Sequence, residues 1–464
     1  MKIGLVLDNP KRELDGHLLI TEELVNAGHE VYIIPMLQQG LDVPLLGLDA
    51  IVVNYARAAN HDVLRAYREL GVRILILDTE GGVLSEQGAN SPENWARSMR
   101  DSGLIDTIDD YMFWGEKVFR AFRDYSGKRP EHLHVTGNPR FDLCADRWRT
   151  FFDYPRSDYI LINTNFSLIN PLLNRSDAQE LETLVAAGWN RDYIVGVLAD
   201  LKKVFTAYVD TLVWLARRNP SIAFIVRPHP FERDMRYREA LSALSNVTVD
   251  GTGSVLNMIA NARCVLHLNC GTAIEACLMG KPPVSMEFLN TDRLLLHTPL
   301  PSRISLCVSS REELNVVVND PNTFVQRYDA VENYRRHIEP WFYKRDGEAH
   351  KRVSDVILRS IGDRRDSGTV IRYAMALRGC FARPSIFQRA QGIAAGLLGS
   401  RAVSRFRQKL NRGRMSKEID LGRIGFVLDR ISQIKGRRPR FRVAQARHPL
   451  HRAKLASVVV VPEK

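Results

Sequence analysis

The pattern that most constrains this chain is a strand–helix alternation that runs, breaks and starts again. Short apolar runs at Ile3–Leu7, Val31–Pro35, Ala50–Asn54, Val72–Asp78 and Tyr111–Trp114 have the length of strands buried on both faces. Between them, Leu18–Asn26 and Val63–Leu70 carry helical spacing and stop at Gly28 and Gly71. A further strand is predicted at His132–Thr136, running into Gly137-Asn138-Pro139-Arg140. The pattern resumes after Pro155, with strands at Tyr159–Thr164, Ile222–Arg227, Cys264–Leu268 and Pro283–Met286. Helices are predicted at Val195–Arg218, Ser254–Asn261 and Ala273–Met279. Parallel strands need crossovers, and helical crossovers cover both faces of the sheet. The sequence therefore predicts an α/β fold of two Rossmann-like domains, 1–152 and 153–362, facing a cleft at the carboxyl ends of their strands.

From about Asp363 the alternation stops, and the charge changes with it. The net charge of +12 is uneven: residues 364–464 hold 24 Lys/Arg against 5 Asp/Glu, while 1–363 hold 41 against 48. A strongly basic segment on a mildly acidic body implies an anionic partner. Ile386, Ile393, Leu397 and Leu398, then Val403, Phe406 and Leu410, recur at roughly helical spacing, with Arg401, Arg405, Arg407 and Lys409 interleaved. This composition suits a helix lying at an anionic membrane surface, and the other reading is a helix packed on the body. Sparse aromatics set nucleic acid aside. The 363–464 segment is thus expected to be a basic amphipathic tail, with Lys435–Arg452 poorly ordered. No apolar run of about 18 residues is present, so no membrane span is expected. Met1 opens straight into an apolar strand, which predicts no secretory leader and a cytoplasmic location on the inner face of the membrane. The six cysteines lack metal-ligand spacing and read as reduced thiols.

Three loops could carry chemistry. Arg227-Pro228-His229-Pro230-Phe231 follows a buried strand, so His229 should stand at the cleft with its turn stiffened by two prolines. A histidine there can protonate or hydrogen-bond a departing phosphate, and Arg227 could offer a planar fork to its oxygens. A histidine capping a packed turn is the competing explanation. In Asn269-Cys270-Gly271-Thr272-Ala273-Ile274-Glu275 a strand passes through a glycine into a helix, whose first amides could face a phosphate. Thr272 and Glu275 also fit a capping box, a structural reason for both. In the first half, Asp78-Thr79-Glu80-Gly81-Gly82 ends a strand, with Glu80 a candidate base for an acceptor hydroxyl and Asp78 its reserve. Asn163-Thr164-Asn165, Asn138 and Arg140 are expected to line the site, with Gly81, Asn138 and Arg140 on the acceptor side. No carboxylate cluster suited to a metal, no Walker lysine loop and no dinucleotide fingerprint is present, so neither metal nor cofactor is expected.

The ordered segments KRELDGHLLITEELVNAGHEV, LDTEGG, VTGNPRFDL, ILINTNF, RPHPFE and LNCGTAIEACLMGKPPVSM resemble the bacterial surface carbohydrate biosynthesis proteins. That family is distantly similar to capsule Kdo transferases and bacterial polysialyltransferases, all of the two-domain GT-B type. The resemblance spans roughly residues 1–360 and excludes the basic segment. It implies a GT-B-like glycosyltransferase using a nucleotide-sugar donor, CMP-activated by preference. The acceptor would be a lipid-linked surface glycan. Polysialyltransferases have an acidic-acidic-Gly motif supplying a base, a His-Pro motif binding CMP and a Ser/Thr motif at its phosphate. Glu80-Gly81 matches the first in its second acidic position only, the preceding residue being Thr79. His229-Pro230 matches fully, Gly271-Thr272 stands where the hydroxyl motif falls, and Glu275 would contact the ribose. Similar His-Pro elements occur in teichoic acid polymerases, which use CDP-alcohols. A CDP-alcohol phosphotransferase, a UDP-sugar epimerase of the same fold and a non-catalytic scaffold therefore stay open as alternatives.

Overall fold

A computed structural model of the chain describes residues 1–79, 91–152, 158–172, 176–186, 190–320, 327–361, 375, 386–410, 419–450 and 452–463. They form two compact units, one holding Met1–Phe151 with the chain from Pro340 onward, the other Phe152–Glu339. Both are α/β with parallel central strands, so the fold class is the one the alternation predicts.

In the first unit β1 (Lys2–Leu7) lies between β2 (Glu30–Pro35) and β3 (Ala50–Val53), all parallel. On the β3 side follow β4 (Arg73–Leu77), β5 (Asp110–Phe113) and β6 (Leu133–Val135). These strands are near-continuously apolar because helices cover both faces, and Leu5, Ile33, Ile51 and Ile76 are fully buried. Each such side chain contributes about 1.5–3 kcal/mol. The Pro10–Asn26 helix begins where Pro10 supplies a preset φ and the Asn9 side chain accepts from Lys11 N at 3.1 Å. Gly16 on this helix lets the backbone at Pro139–Arg140 approach, since a Cβ there would sit 2.8 Å from Arg140 N.

The described residues of the C-terminal region follow the other reading, packing on the body, and add a strand hairpin to it. At Pro340 the chain returns to the first unit, where Trp114, Phe141 and Phe342 pack ring against ring. The Ala349–Ser360 and Leu421–Ile434 helices then pack against the Pro10–Asn26 helix. Strands β13 (Phe441–Arg447) and β14 (Lys454–Pro462) form an antiparallel hairpin, and β14 pairs antiparallel with β2, Val458 opposite Ile33 and Val460 opposite Val31. The first sheet thus has eight strands in the order β13-β14-β2-β1-β3-β4-β5-β6. Buried Asp42 accepts from Ser457 N at 2.8 Å and Ser457 Oγ at 2.6 Å, tying the hairpin down. Lys435 and Arg437 meet Glu22 and Glu23, and Arg423 meets Asp15. The excess positive charge of the C-terminal region is therefore partly matched by the acidic face of the first helix. The expected boundary at 362–363 is replaced by a crossing at Pro340, and the segment expected to be poorly ordered contains β13. Residues 362–374 and 376–385 lie outside the described set.

The second unit is a six-stranded parallel sheet of β7 (Tyr159–Asn163), β8 (Ala223–Arg227), β9 (Val247–Val249), β10 (Ala262–His267), β11 (Pro283–Ser285) and β12 (Leu306–Cys307). Their spatial order is β12-β11-β10-β7-β8-β9. Counted within the unit, this is the 3-2-1-4-5-6 order of a doubly wound sheet, which reverses direction between β7 and β10. One face packs the Arg191–Arg218 helix through Ile194, Tyr208, Leu212 and Leu215 against Ile160, Ile162 and Phe224. The other packs Met258, Ile259 and Ala276 against Tyr159, Leu161 and Val265. Cys144, Cys264, Cys270 and Cys277 are buried thiols, whereas Cys307 is exposed.

Candidate functional site

In a doubly wound sheet the strand order reverses at one point, and the loops leaving its two central strands diverge to opposite faces, opening a crevice. Here those loops follow β7 and β10. Asn163, the last residue of β7, is buried, and its Nδ2 donates to Thr272 Oγ1 across the reversal at 2.8 Å. Its Oδ1 has no hydrogen-bond partner among the described residues. Two residues on, Asn165 Nδ2 donates to the Asn269 carbonyl at 2.7 Å. Asn269 itself takes φ +50°, a left-handed turn that asparagine tolerates better than most residues. That turn swings the chain from β10 into the Thr272–Leu278 helix, and Gly271 at its start is exposed with open space where a side chain would stand.

His229 leaves β8, the neighbour of β7. Its backbone N–H donates to Thr164 Oγ1 at 3.2 Å, and Phe231 N–H donates to its Nδ1 at 3.3 Å. Because Nδ1 is an acceptor, the neutral ring carries its proton on Nε2. The Thr164 hydroxyl in turn donates to Glu232 Oε1 at 2.9 Å. The Glu232 carboxylate also accepts from Phe166 N–H at 2.6 Å and Tyr237 O–H at 2.6 Å. Burial pushes the Glu232 carboxyl above its ordinary range, against the pull of these donors. The half-buried imidazole and Pro230 thus sit on a turn braced from beneath by a buried carboxylate.

Several sequence candidates turn out to be held differently. Arg227 is buried, and its guanidinium donates to the carbonyls of Thr252 and Gly253, the latter at 2.9 Å, with Met258 Sδ at 3.2 Å. Residue 227 ends the strand facing the Val255–Asn261 helix, so the side chain braces the loop after β9 instead of opening a fork to phosphate. The capping box at Thr272 does not form: Gly271 is the cap, no side chain caps the helix, and the Thr272 hydroxyl faces Asn163 and Cys270. Glu275 is buried in the first turn of that helix, away from solvent.

Sequence reasoning missed a second polar layer beside the reversal. Asn269 and Asn290 exchange amide hydrogen bonds at 2.9 and 3.1 Å, and Glu287 accepts from Asn290, Ser285 and Ser302. Behind them His267 is fully buried, and burial holds its pKa down to about 3. The Ser305 hydroxyl donates to Pro301 O, so it accepts from His267 Nε2–H at 2.8 Å, leaving Nδ1 as a buried lone pair without a partner among the described residues. A polar residue inside the otherwise apolar Val265-Leu266-His267-Leu268 run was the available signal.

The first unit has its own polar cluster at the carboxyl ends of its strands. Asp78 is buried and pairs with Arg57 at 2.7 Å, while Tyr111 O–H approaches the same oxygen at 3.4 Å. Arg57 also lies 4.5 Å over the Trp95 ring. The reserve base is therefore a charge partner, with one oxygen committed to a guanidinium. A small cavity nearby is lined by Glu13, His17, Leu77, Thr79, Asn138 and Arg140. Asn138 caps its turn by accepting from Arg140 N–H at 2.9 Å, and so shapes the cavity wall. Glu80 and Gly81 lie outside the described residues.

No protein-family model matches the chain, and no curated protein matches it. Solved structures do. UDP-GlcNAc 2-epimerase from Methanocaldococcus jannaschii aligns at TM-score 0.45 and 13% identity, over 77% of this chain and 100% of that one. UDP-GlcNAc 2-epimerase from Neisseria meningitidis, bound to UDP-GlcNAc, aligns at 0.46 and 13%, again over 77% and 100%. The wall teichoic acid polymerase TagF aligns at 0.49 and 12%, over 78% of this chain and 88% of that one.

Proposed function

We propose that the chain is a metal-independent glycosyltransferase that moves a Kdo-like sugar from a CMP-activated donor to a lipid-linked surface polysaccharide. The observation that carries this reading is the braced His229 turn beside the strand-order reversal of the second unit. There an imidazole with its proton on Nε2 stands among the loops where doubly wound sheets take nucleotides.

In this scheme the acceptor hydroxyl attacks the anomeric carbon of the donor, and Glu80 of the first unit takes its proton. The bond from that carbon to the CMP phosphate breaks, and the electron pair stays on the phosphate oxygen. His229 Nε2–H hydrogen-bonds that oxygen as charge builds on it, an interaction stronger in the transition state than before it. Thr272 and the amides after Gly271 border the same crevice. Asn138 and Arg140 would help shape the acceptor side, and the enzyme would work at the inner face of the membrane, where its basic C-terminal region meets anionic lipid.

Transfer from CMP-sugars to a lipid-linked acceptor is the test. His229→Ala and Glu80→Gln should each lower kcat by about 100-fold or more while leaving the melting temperature unchanged. Full activity in both variants would overturn the scheme.

A further inference from the structure

The basic C-terminal region divides into two parts in the structure. Lys435, Arg437 and Arg423 are closed against Glu22, Glu23 and Asp15 of the first helix. The other part is the free end of the C-terminal hairpin. There His448 N–H donates to Ala453 O at 2.8 Å, and Arg452 N–H donates to His448 O at 3.1 Å with φ +62° at Arg452. This geometry holds Leu450 outward, 70% exposed.

Beside that turn stands the corner between the Ile386–Leu398 and Ser400–Leu410 helices. Gly399, at φ +84°, packs so closely that a Cβ would strike the Lys454 carbonyl, and Ser400 Oγ accepts from Ala456 N–H at 2.8 Å. The corner is therefore fixed to the start of β14, next to the turn. Leu397 and Leu398, immediately before it, are 73% and 66% exposed, and Ile393 lies one helical turn earlier on the Leu397 face, also exposed.

The two segments that carry these leucines bear charge of one sign. Residues 430–462 contain no Asp or Glu, and neither do residues 386–410. Arg447, Arg452 and Lys454 are exposed at the same end of the hairpin and form no ion pair among the described residues. Among the described residues no carboxylate pairs with them as Glu22 and Glu23 pair with Lys435.

We propose that this end of the hairpin is a folded docking surface for an anionic lipid bilayer. Leu397, Leu398 and Leu450 enter the headgroup boundary, and Arg447, Arg452 and Lys454 lie at the level of the lipid phosphates. Outward leucines within a cationic rim favour lipid over nucleic acid, which would call for aromatic platforms or a charged groove. The surface gives the membrane contact in the proposed function a location, and rests on that reading. It also moves the contact from an amphipathic helix lying at the surface to the end of a packed hairpin.

Flotation of the full chain with phosphatidylcholine vesicles, with and without phosphatidylglycerol, tests it. Binding should require phosphatidylglycerol. The Arg447→Ala, Arg452→Ala, Lys454→Ala variant should bind about 100-fold more weakly, at roughly fivefold per cation. The Leu397→Ser, Leu398→Ser, Leu450→Ser variant should lose flotation, with an unchanged melting curve because these side chains are exposed. If the parent chain does not float with anionic vesicles, both the surface and the membrane reading fail. If the leucine variant floats like the parent, the surface fails and membrane contact lies elsewhere. Self-association of the parent that the leucine substitutions abolish, without flotation, would assign the patch to a second copy and overturn the proposal.

Discussion

Replacing Lys435 with Met should destabilise the first unit far more than losing one cation from a solvated tail. The Lys435 side chain is 5% exposed, with Nζ 2.7 Å from both Glu22 Oε2 and Glu23 Oε1. Glu22 is 1% exposed, so water cannot take over when the ammonium is removed. Removing one partner of a buried pair costs about 3–5 kcal/mol, because it leaves a buried charge uncompensated. Arg437 Nη1 remains 3.0 Å from Glu22, which places the expected loss at the low end, about 3 kcal/mol. For a unit of this size about 3 kcal/mol corresponds to a melting shift of roughly 6 °C. Differential scanning calorimetry of Lys435→Met should show that shift, and adding Glu22→Gln should restore part of it. Arg438→Met, at an exposed position nearby, is the control and should stay within about 0.5 kcal/mol of the parent. A Lys435→Met shift no larger than this control would refute the docking of the basic region on the first helix.

Glu232→Ala should lower the stability of the second unit by about 2–3 kcal/mol, since Tyr237 O–H, Thr164 O–H and Phe166 N–H lose a buried acceptor; chemical denaturation measures it. His267 gives a pH signature. Its folded pKa of about 3 lies below the ordinary 6.5, so the unfolded chain binds the extra proton between these values. Stability contributed by the neutral ring is complete above pH 6.5 and lost as pH falls toward 3, with a slope of at most about 1.4 kcal/mol per pH unit. His267→Gln should flatten that part of the stability profile, and an unchanged slope would show that the ring titrates normally.

The strands were legible because parallel strands covered on both faces must be apolar along their length, as in Ile3–Leu7 and Tyr159–Asn163. Their spatial order was not, because a linear pattern says nothing of which crossover reverses. The reversal between β7 and β10, which brings Asn163 to Thr272, had to come from the structure. The hairpin was missed for a related reason: β14 is added to the edge at β2 from more than 400 residues away, and basic residues in β13 masked its pairing. Arg227 was legible as a strand-end residue but not in its direction, which the loop after β9 decides through the carbonyls of Thr252 and Gly253. Glu232 and His267 escaped because a buried polar residue in an apolar context reveals its role only through its partners. His229 was legible in both place and stiffness, since two prolines and a preceding buried strand leave the turn few options.

The central claim is that the crevice beside His229 takes a cytidine nucleotide. Isothermal titration of the full chain with CMP, CDP and UDP tests it most directly, repeated on His229→Ala. CMP should bind and UDP should not, and His229→Ala should weaken CMP at least tenfold, about 1.4 kcal/mol. Binding of UDP alone, or CMP binding that the substitution leaves unchanged, would contradict it.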